Sequence, residues 1–232
     1  MTKVLMIVSA AKHWTLNDGT LHPTGFWAEE LVTPYSIFTD AGWDIDVATP
    51  GGVAPTVDQA SLDEGAGDAD TLQEVKAKLD KLQPVLAKPL SLEDVDAADY
   101  DLVFYPGGHG PMEDLAVNET SARVLNQRMA DNTPVALLCH APAAVLATEN
   151  ATGGSPFAGR TMTGFSNDEE RSAGLAEKAP WLLEDRLVAL GAKYDKAQEP
   201  WASYTIVDGN LYTGQNPASS RELAQRLVKD LG

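Results

Sequence analysis

Along the chain, short runs of apolar residues alternate with longer stretches whose apolar side chains recur every three or four positions. The runs "VLMIV" (4–8), "DIDVAT" (44–49), "DLVFY" (101–105) and "PVALL" (134–138) read as strands. Strands separated by helical patterns argue for an α/β protein with a mainly parallel sheet. Two late runs, "YTIV" (204–207) and "LYT" (211–213), flank "DGN", a hairpin signal. Helices are expected over 25–41, 119–131, 181–190 and 218–231, and Gly191 stands where the third needs its C-cap.

Residues 51–95 break this rhythm. "GGVAPTVDQASLDEGAGDAD" has few large apolar residues and many Gly and Asp, and the amphipathic "TLQEVKAKLDKLQPVL" follows it. The segment reads as an insertion within a single domain spanning 1–232. It is either a lid-like subdomain or a surface excursion without a role.

Composition narrows the classes. With 44% apolar residues over 232 positions a core can form without disulfides, and the lone cysteine has no partner in the chain. The N-terminal "MTKVLMIVSA" is apolar for only about six residues and reads as a strand rather than a signal peptide. No run approaches the roughly 20 residues of a membrane span. A cytoplasmic protein with no membrane partner is expected. Seventeen basic against 34 acidic residues give a net charge of −17, a field that repels phosphate backbones, so no nucleic-acid partner is expected either.

The chemistry centres on "ALLCHAPAAVL" (136–146), which contains that single cysteine, Cys139. It reads as buried strand, sharp turn and short helix, and ligands of a parallel sheet gather at the carboxyl ends of its strands. A helix opening just beyond Cys139 would favour thiolate over thiol. Buried cysteines are as a rule inert small hydrophobes, so position alone leaves nucleophile and core residue both open. Three further stretches bear on the choice. "FYPGGHGPMEDL" (104–115) puts a Gly-Gly turn at the end of another strand, where the Gly108 amide can donate to a developing oxyanion. It is not a dinucleotide fingerprint, because Glu113 stands where a third Gly is needed.

In "TGFWAEELVTPYSIF" (24–38), a 100° turn per residue puts Trp27, Leu31, Tyr35 and Phe38 on one stripe. Glu30 flanks that stripe, while Glu29 points nearly opposite, toward Thr33 and Ser36. Glu30 is therefore the acid expected to be partly buried and kept protonated, and a protonated carboxyl can donate to a thiolate that an ionised one would repel. "TMTGFSNDEERSAG" (161–174) offers Asp168, Glu169 and Glu170, one of which could orient a histidine; the alternative is a solvated acidic turn. His13, His22, His109 and His140 show no paired ligand spacing and no Walker A loop occurs, so neither a metal nor a cofactor is expected.

"GFWAEELVTPY", "DLVFYPGGHGPMEDL", "LLCHAPAAVL", "TGFSNDEE", "PWLLEDRLVALGAKY" and "TGQNPASS" occur in this order. Together they resemble the ThiJ/PfpI superfamily, in its glutathione-independent glyoxalase and heat-shock chaperone branch. The resemblance runs from about residue 3 to 230. It implies a flavodoxin-like three-layer sandwich, a homodimer, and a Cys-His-acid triad with a protonated Glu nearby. The nucleophile maps to Cys139, its base to His140, the third member to Glu170 with Glu169 as the neighbouring alternative, and the helix carboxyl to Glu30. The amides of Gly108 and His140 match the oxyanion site, with His109 beside Gly108 among the substrate-binding residues. Ala141 stands where relatives commonly carry Gly.

The activity implied is conversion of a small 2-oxoaldehyde, methylglyoxal, to lactate through a hemithioacetal on Cys139. Two further classes stay open. One is a cysteine hydrolase (amidase, peptidase or deglycase); the other is a holdase chaperone, which would need exposed apolar surface. A redox-sensing thiolate is a third possibility.

Overall fold

The structure is a computed structural model that describes residues 1–152 and 154–232. In chain order its strands and helices begin with β1 (Lys3–Ile7), β2 (His13–Thr15), β3 (Leu21–Pro23), α1 (Ala28–Asp40), β4 (Asp44–Thr49), α2 (Ala69–Leu86) and β5 (Leu90–Ser91). There follow β6 (Leu102–Tyr105), α3 (Gly110–Glu113), α4 (Glu119–Ala130), β7 (Val135–Leu138), β8 (Thr161–Met162) and α5 (Asn167–Ser172). The chain ends with α6 (Leu183–Ala189), β9 (Lys193–Tyr194), β10 (Thr205–Asp208), β11 (Leu211–Gly214) and α7 (Ser220–Leu231).

Seven strands form one sheet in the order β10-β11-β7-β6-β1-β4-β5. All neighbours are parallel except the hairpin β10–β11, whose turn uses Gly209 at φ 61°. Strands β6, β7 and β11 are buried at every position, as expected of a parallel sheet covered on both faces. Helices α2, α1 and α7 pack side by side, and α4 packs with the segment 141–148. The fold is thus a mainly parallel central sheet flanked by helices, as the hydrophobic pattern predicts. Arg128, 2% exposed, holds the strand starts in line. Its guanidinium donates to the carbonyls of Tyr100 and Asp101 before β6 and of Pro134 before β7, at 2.7–2.8 Å.

The six runs read as strands are β1, β4, β6, β7, β10 and β11, each within a residue or two, whereas the short β5, β8 and β9 match none of them. The helix expected from 25 begins at Ala28, because Gly25–Trp27 stay extended and Phe26 bridges Val57. Gly191, at φ 93°, closes α6 with its N–H on Val188 and that of Ala192 on Leu187. The segment 51–95 opens in short turns and then forms α2, whose Leu72, Val75, Leu79, Leu82 and Leu86 are buried. It closes as edge strand β5, paired with β4. Its contact with the loop before α1 is at Thr56–Asp58, where the Phe26 N–H donates to Thr56 and Thr24 Oγ1 donates to Asp58.

The short helix expected after Cys139 is present as a 3-10 helix, Ala141–Thr148; Pro142 has no N–H to donate, and Ala143 bonds back to His140 at the i→i+3 spacing. The β2–β3 hairpin was not expected at all, because "HWT" and "LHP" are too short to show a period.

Candidate active site

Adjacent parallel strands β6 and β7 end side by side, with Tyr105 opposite Leu137. The turn Gly107–His109 and the bend Cys139–His140 therefore lie against each other. Cys139 is at φ 60°, a left-handed conformation that a non-glycine residue keeps only when its surroundings enforce it. They do so here, since its N–H donates to Gly214 and its carbonyl accepts from Phe165, each at 2.8 Å. A Cβ on Gly107 would lie 2.5 Å from the Leu138 carbonyl, 2.7 Å from Glu30 Oε2 and 2.8 Å from the His140 nitrogen. Only glycine admits this convergence of three elements.

His140 Nδ1 lies 3.2 Å from Cys139 Sγ, and its Nε2 lies 2.8 Å from Glu170 Oε2. Burial pushes His140 down to about 4, with His109 acting the same way and Glu170 opposing. The ring is therefore neutral near pH 7. With Nε2–H donated to a carboxylate, Nδ1 is a bare acceptor facing the thiol, the arrangement of a general base. Burial by itself would raise the Glu170 carboxyl, but donors from His109 and His140 hold it well below the usual carboxylate range. The His109 donor reaches Glu170 Oε1, also at 2.8 Å.

Glu30, wholly buried on the first turn of α1, also acts on the sulfur. Desolvation pushes it up to about 8, against the opposing effects of Cys139 and the Gly107 N–H. That N–H donates to Oε2 at 2.7 Å. Oε1 has no hydrogen bond of good geometry among the described residues. Burial pushes the Cys139 thiol well up, Glu30 adds to it by charge and hydrogen bonding, and the Gly108 amide pulls the other way. The expectation that the thiolate is favoured over the thiol is therefore corrected: the displacement runs upward, with burial as its largest cause and Glu30 next. A thiolate forms here only while Glu30 keeps its proton and His140 accepts one.

All six singled-out residues, Cys139, His140, Glu170, Glu30, Gly108 and His109, meet at this one place. Asp168 does not; it is an exposed partner of Arg171 and Lys196. Glu169 is buried but fully engaged elsewhere. It closes a capping box with Ser166 and also accepts from Trp201, Gln215 and Asn216. Glu29 is half-buried and not at the sulfur. Four aromatic neighbours have no signal in the sequence that ties them to this site: Trp14 and His22 from the β2–β3 hairpin, set against His109, Phe165 tilted against His140, and Trp201 edge-on to Phe165. The ligand atoms of His109, His140 and Glu170 lie within 4.8 Å of one another, three buried donors of a kind that suits a transition metal. Here each imidazole is instead committed to the carboxylate by a hydrogen bond.

Known proteins place this geometry in context. The model of the DJ-1/PfpI family matches residues 21–230. The chain is 30% identical to the Saccharomyces cerevisiae protein named glutathione-independent glyoxalase HSP31, over 99% of this chain and 98% of that one. It is 29% identical to the Staphylococcus aureus protein named protein/nucleic acid deglycase HchA, over 99% of this chain and 80% of that one. Among solved structures, Rapid Encystment Protein 24 KDa of Francisella tularensis superposes with a TM-score of 0.87 at 32% identity, over 100% of both chains. Glyoxalase III of Candida albicans, 24% identical over 98% of this chain and 96% of that one, shares the fold with a TM-score of 0.84.

Proposed function

The chain belongs to the DJ-1/PfpI family, and on that premise we propose that it is a glutathione-independent glyoxalase, converting methylglyoxal to lactate through a covalent adduct on Cys139. The observation that carries the reading is a buried thiol flanked by two proton-transfer groups, the bare His140 Nδ1 at 3.2 Å and the protonated Glu30 carboxyl. A hydrolase needs one base at its nucleophile; moving a hydride equivalent between two carbons as a proton needs both an acid and a base in a dry site. Cys139 is 3% exposed, which favours a substrate of a few heavy atoms.

In this mechanism Sγ adds to the aldehyde carbon C1 as its proton passes to His140. The new oxyanion is met by the amides of Gly108 and His140 and is then protonated to the hemithioacetal. The C1 proton is removed by His140, or by Glu30 once it has given up its own. A proton returned at C2 through the enediol leaves a thioester with a hydroxyl on C2. Water cleaves the C1–S bond to give lactate and the free thiol, so the net reaction adds one water and needs no oxidant. A homodimer and a cytoplasmic site of action belong to the same proposal, and sedimentation velocity reads the first. No helix among the described residues is long and apolar enough to cross a membrane.

The test is lactate formation from methylglyoxal without glutathione, by wild type and Cys139→Ser. Lactate from the wild type alone supports the reading; equal lactate from both, or none from folded protein with an unoxidised thiol, rejects it. The S. aureus relative favours a second reading, removal of a 2-oxoaldehyde adduct from an amino group. Release of free amine from a pre-formed adduct, with free methylglyoxal trapped, separates the two.

A further inference from the structure

The triad carboxylate serves two histidines, and the triad needs only one. Glu170 Oε2 accepts from His140 Nε2 and Oε1 accepts from His109 Nε2, both at 2.8 Å, with all three side chains buried. The two imidazoles lie 3.9 Å apart between centroids. His109 is held in this orientation from behind. Trp14 stacks on it at 5.1 Å and 22°, and His22 stands edge-on at 6.3 Å. The hairpin bearing both is tied to α3, the helix that starts after His109, through the N–H and hydroxyl of Thr15 on the Glu113 carboxylate at 2.8 and 2.9 Å. This much construction around a residue outside the triad calls for a role.

A buried carboxylate facing a single imidazole tends to draw a proton onto it and form an ion pair. A second N–H donor on the other oxygen takes up part of that charge. We propose that His109 is a positioning residue: by occupying Glu170 Oε1 it leaves one oxygen to His140 and keeps His140 a neutral base with Nδ1 bare toward the thiol. The charged and titratable groups around the pair are Cys139 on the adjacent bend, Glu30 on α1, Glu169 and Glu170 on α5, and His22 and Asp58 beyond His109. Among the described residues, His109 alone gives Glu170 a second side-chain donor beside His140.

The inference rests on His140 acting as the base but not on the substrate. It is therefore tested without turnover, by NMR titration of the imidazole resonances, with His140 assigned through His140→Gln. In His109→Leu the His140 midpoint should move up by about one pH unit or more. In His109→Gln, whose amide can still reach Oε1, it should stay near that of the wild type. His109→Asn, whose shorter amide falls short, should behave as His109→Leu and replaces it if the leucine variant does not fold. An unmoved midpoint in the leucine or asparagine variant overturns the proposal, as does a glutamine variant that shifts as far as they do. A wild type that makes no lactate yet shows this pattern would reject the glyoxalase reading and leave the role of His109 standing.

Discussion

Two buried glutamates serve Cys139, Glu30 at the thiol itself and Glu170 behind His140, and the two are displaced in opposite directions. Glu30 is 0% and Glu170 3% exposed, so desolvation raises both. Glu30 receives one strong donor, the Gly107 N–H, faces a thiol, and is pushed up to about 8. Glu170 receives an imidazole N–H on each oxygen and is held far below the ordinary range. Burial alone therefore says little about a carboxyl's charge; the number and kind of donors aimed at it decide. One carboxyl thus holds a proton to give and the other a fixed negative charge that orients a base, as general acid–base chemistry requires.

Exchanging each carboxyl for its neutral isostere tests this contrast. The largest effect is expected from Glu170→Gln. Its amide keeps one acceptor oxygen for two imidazole N–H groups, so one ring must change tautomer or lose its contact, and where that ring is His140 a hydrogen turns toward the thiol; kcat should fall by about 10³-fold or more. Because the folded state holds Glu170 ionised below its ordinary 4.5, the wild type gains stability over this variant above that pH and loses the gain as pH falls through and below it. Glu30→Gln should cost about 10²-fold in kcat/KM, with the opposite signature. Unfolded Glu30 ionises above 4.5 while folded Glu30 keeps its proton to about 8, so wild-type stability declines relative to the variant across that window. Thermal melts of wild type and both variants from about pH 2 to 9 check the signs, and equal slopes would dissolve the contrast. The wild-type kcat/KM should then be bell-shaped, failing on the acid side near 4 as His140 protonates and on the alkaline side near 8 as Glu30 ionises against the thiolate.

How much of this was legible depends on how local the physics is. The β6 and β7 strands are unbroken apolar runs, and Glu30 separates from Glu29 by helix angle alone, so each is readable from its own neighbours in sequence. The strained bend at Cys139 follows from a buried strand running into "CHAP". Choosing Glu170 over Glu169 was left open, although Ser166-Asn167-Asp168-Glu169 carries the S-x-x-E capping pattern that commits Glu169 to its own helix start. The protonation of Cys139 is not legible locally, because a dipole can be inferred from a helix start, whereas burial of the thiol and the charge and hydrogen bond of Glu30 come from elements far apart in the chain. The hairpin over His109 escaped for the same reason: three-residue strands carry no period, and Trp14 acquires meaning only from the ring it stacks on.

The smallest expected effect gives the sharpest control. Glu29 is one residue from Glu30 but 100° around α1, half-buried and near Arg221 and Lys78, which moderate its own upward displacement by burial. Its charge reaches Glu30 only as a minor contribution that raises it. Glu29→Gln should therefore leave kcat within about threefold and change stability by no more than about 1 kcal/mol. The alkaline limb of kcat/KM should move slightly down, by a few tenths of a pH unit, because Glu30 loses a like charge nearby. A downward shift of about one pH unit or more, or a loss of activity comparable to that of Glu30→Gln, would mean that the proton on Glu30 is set by the charge of the whole first turn of α1 rather than by its own dry contact with the sulfur.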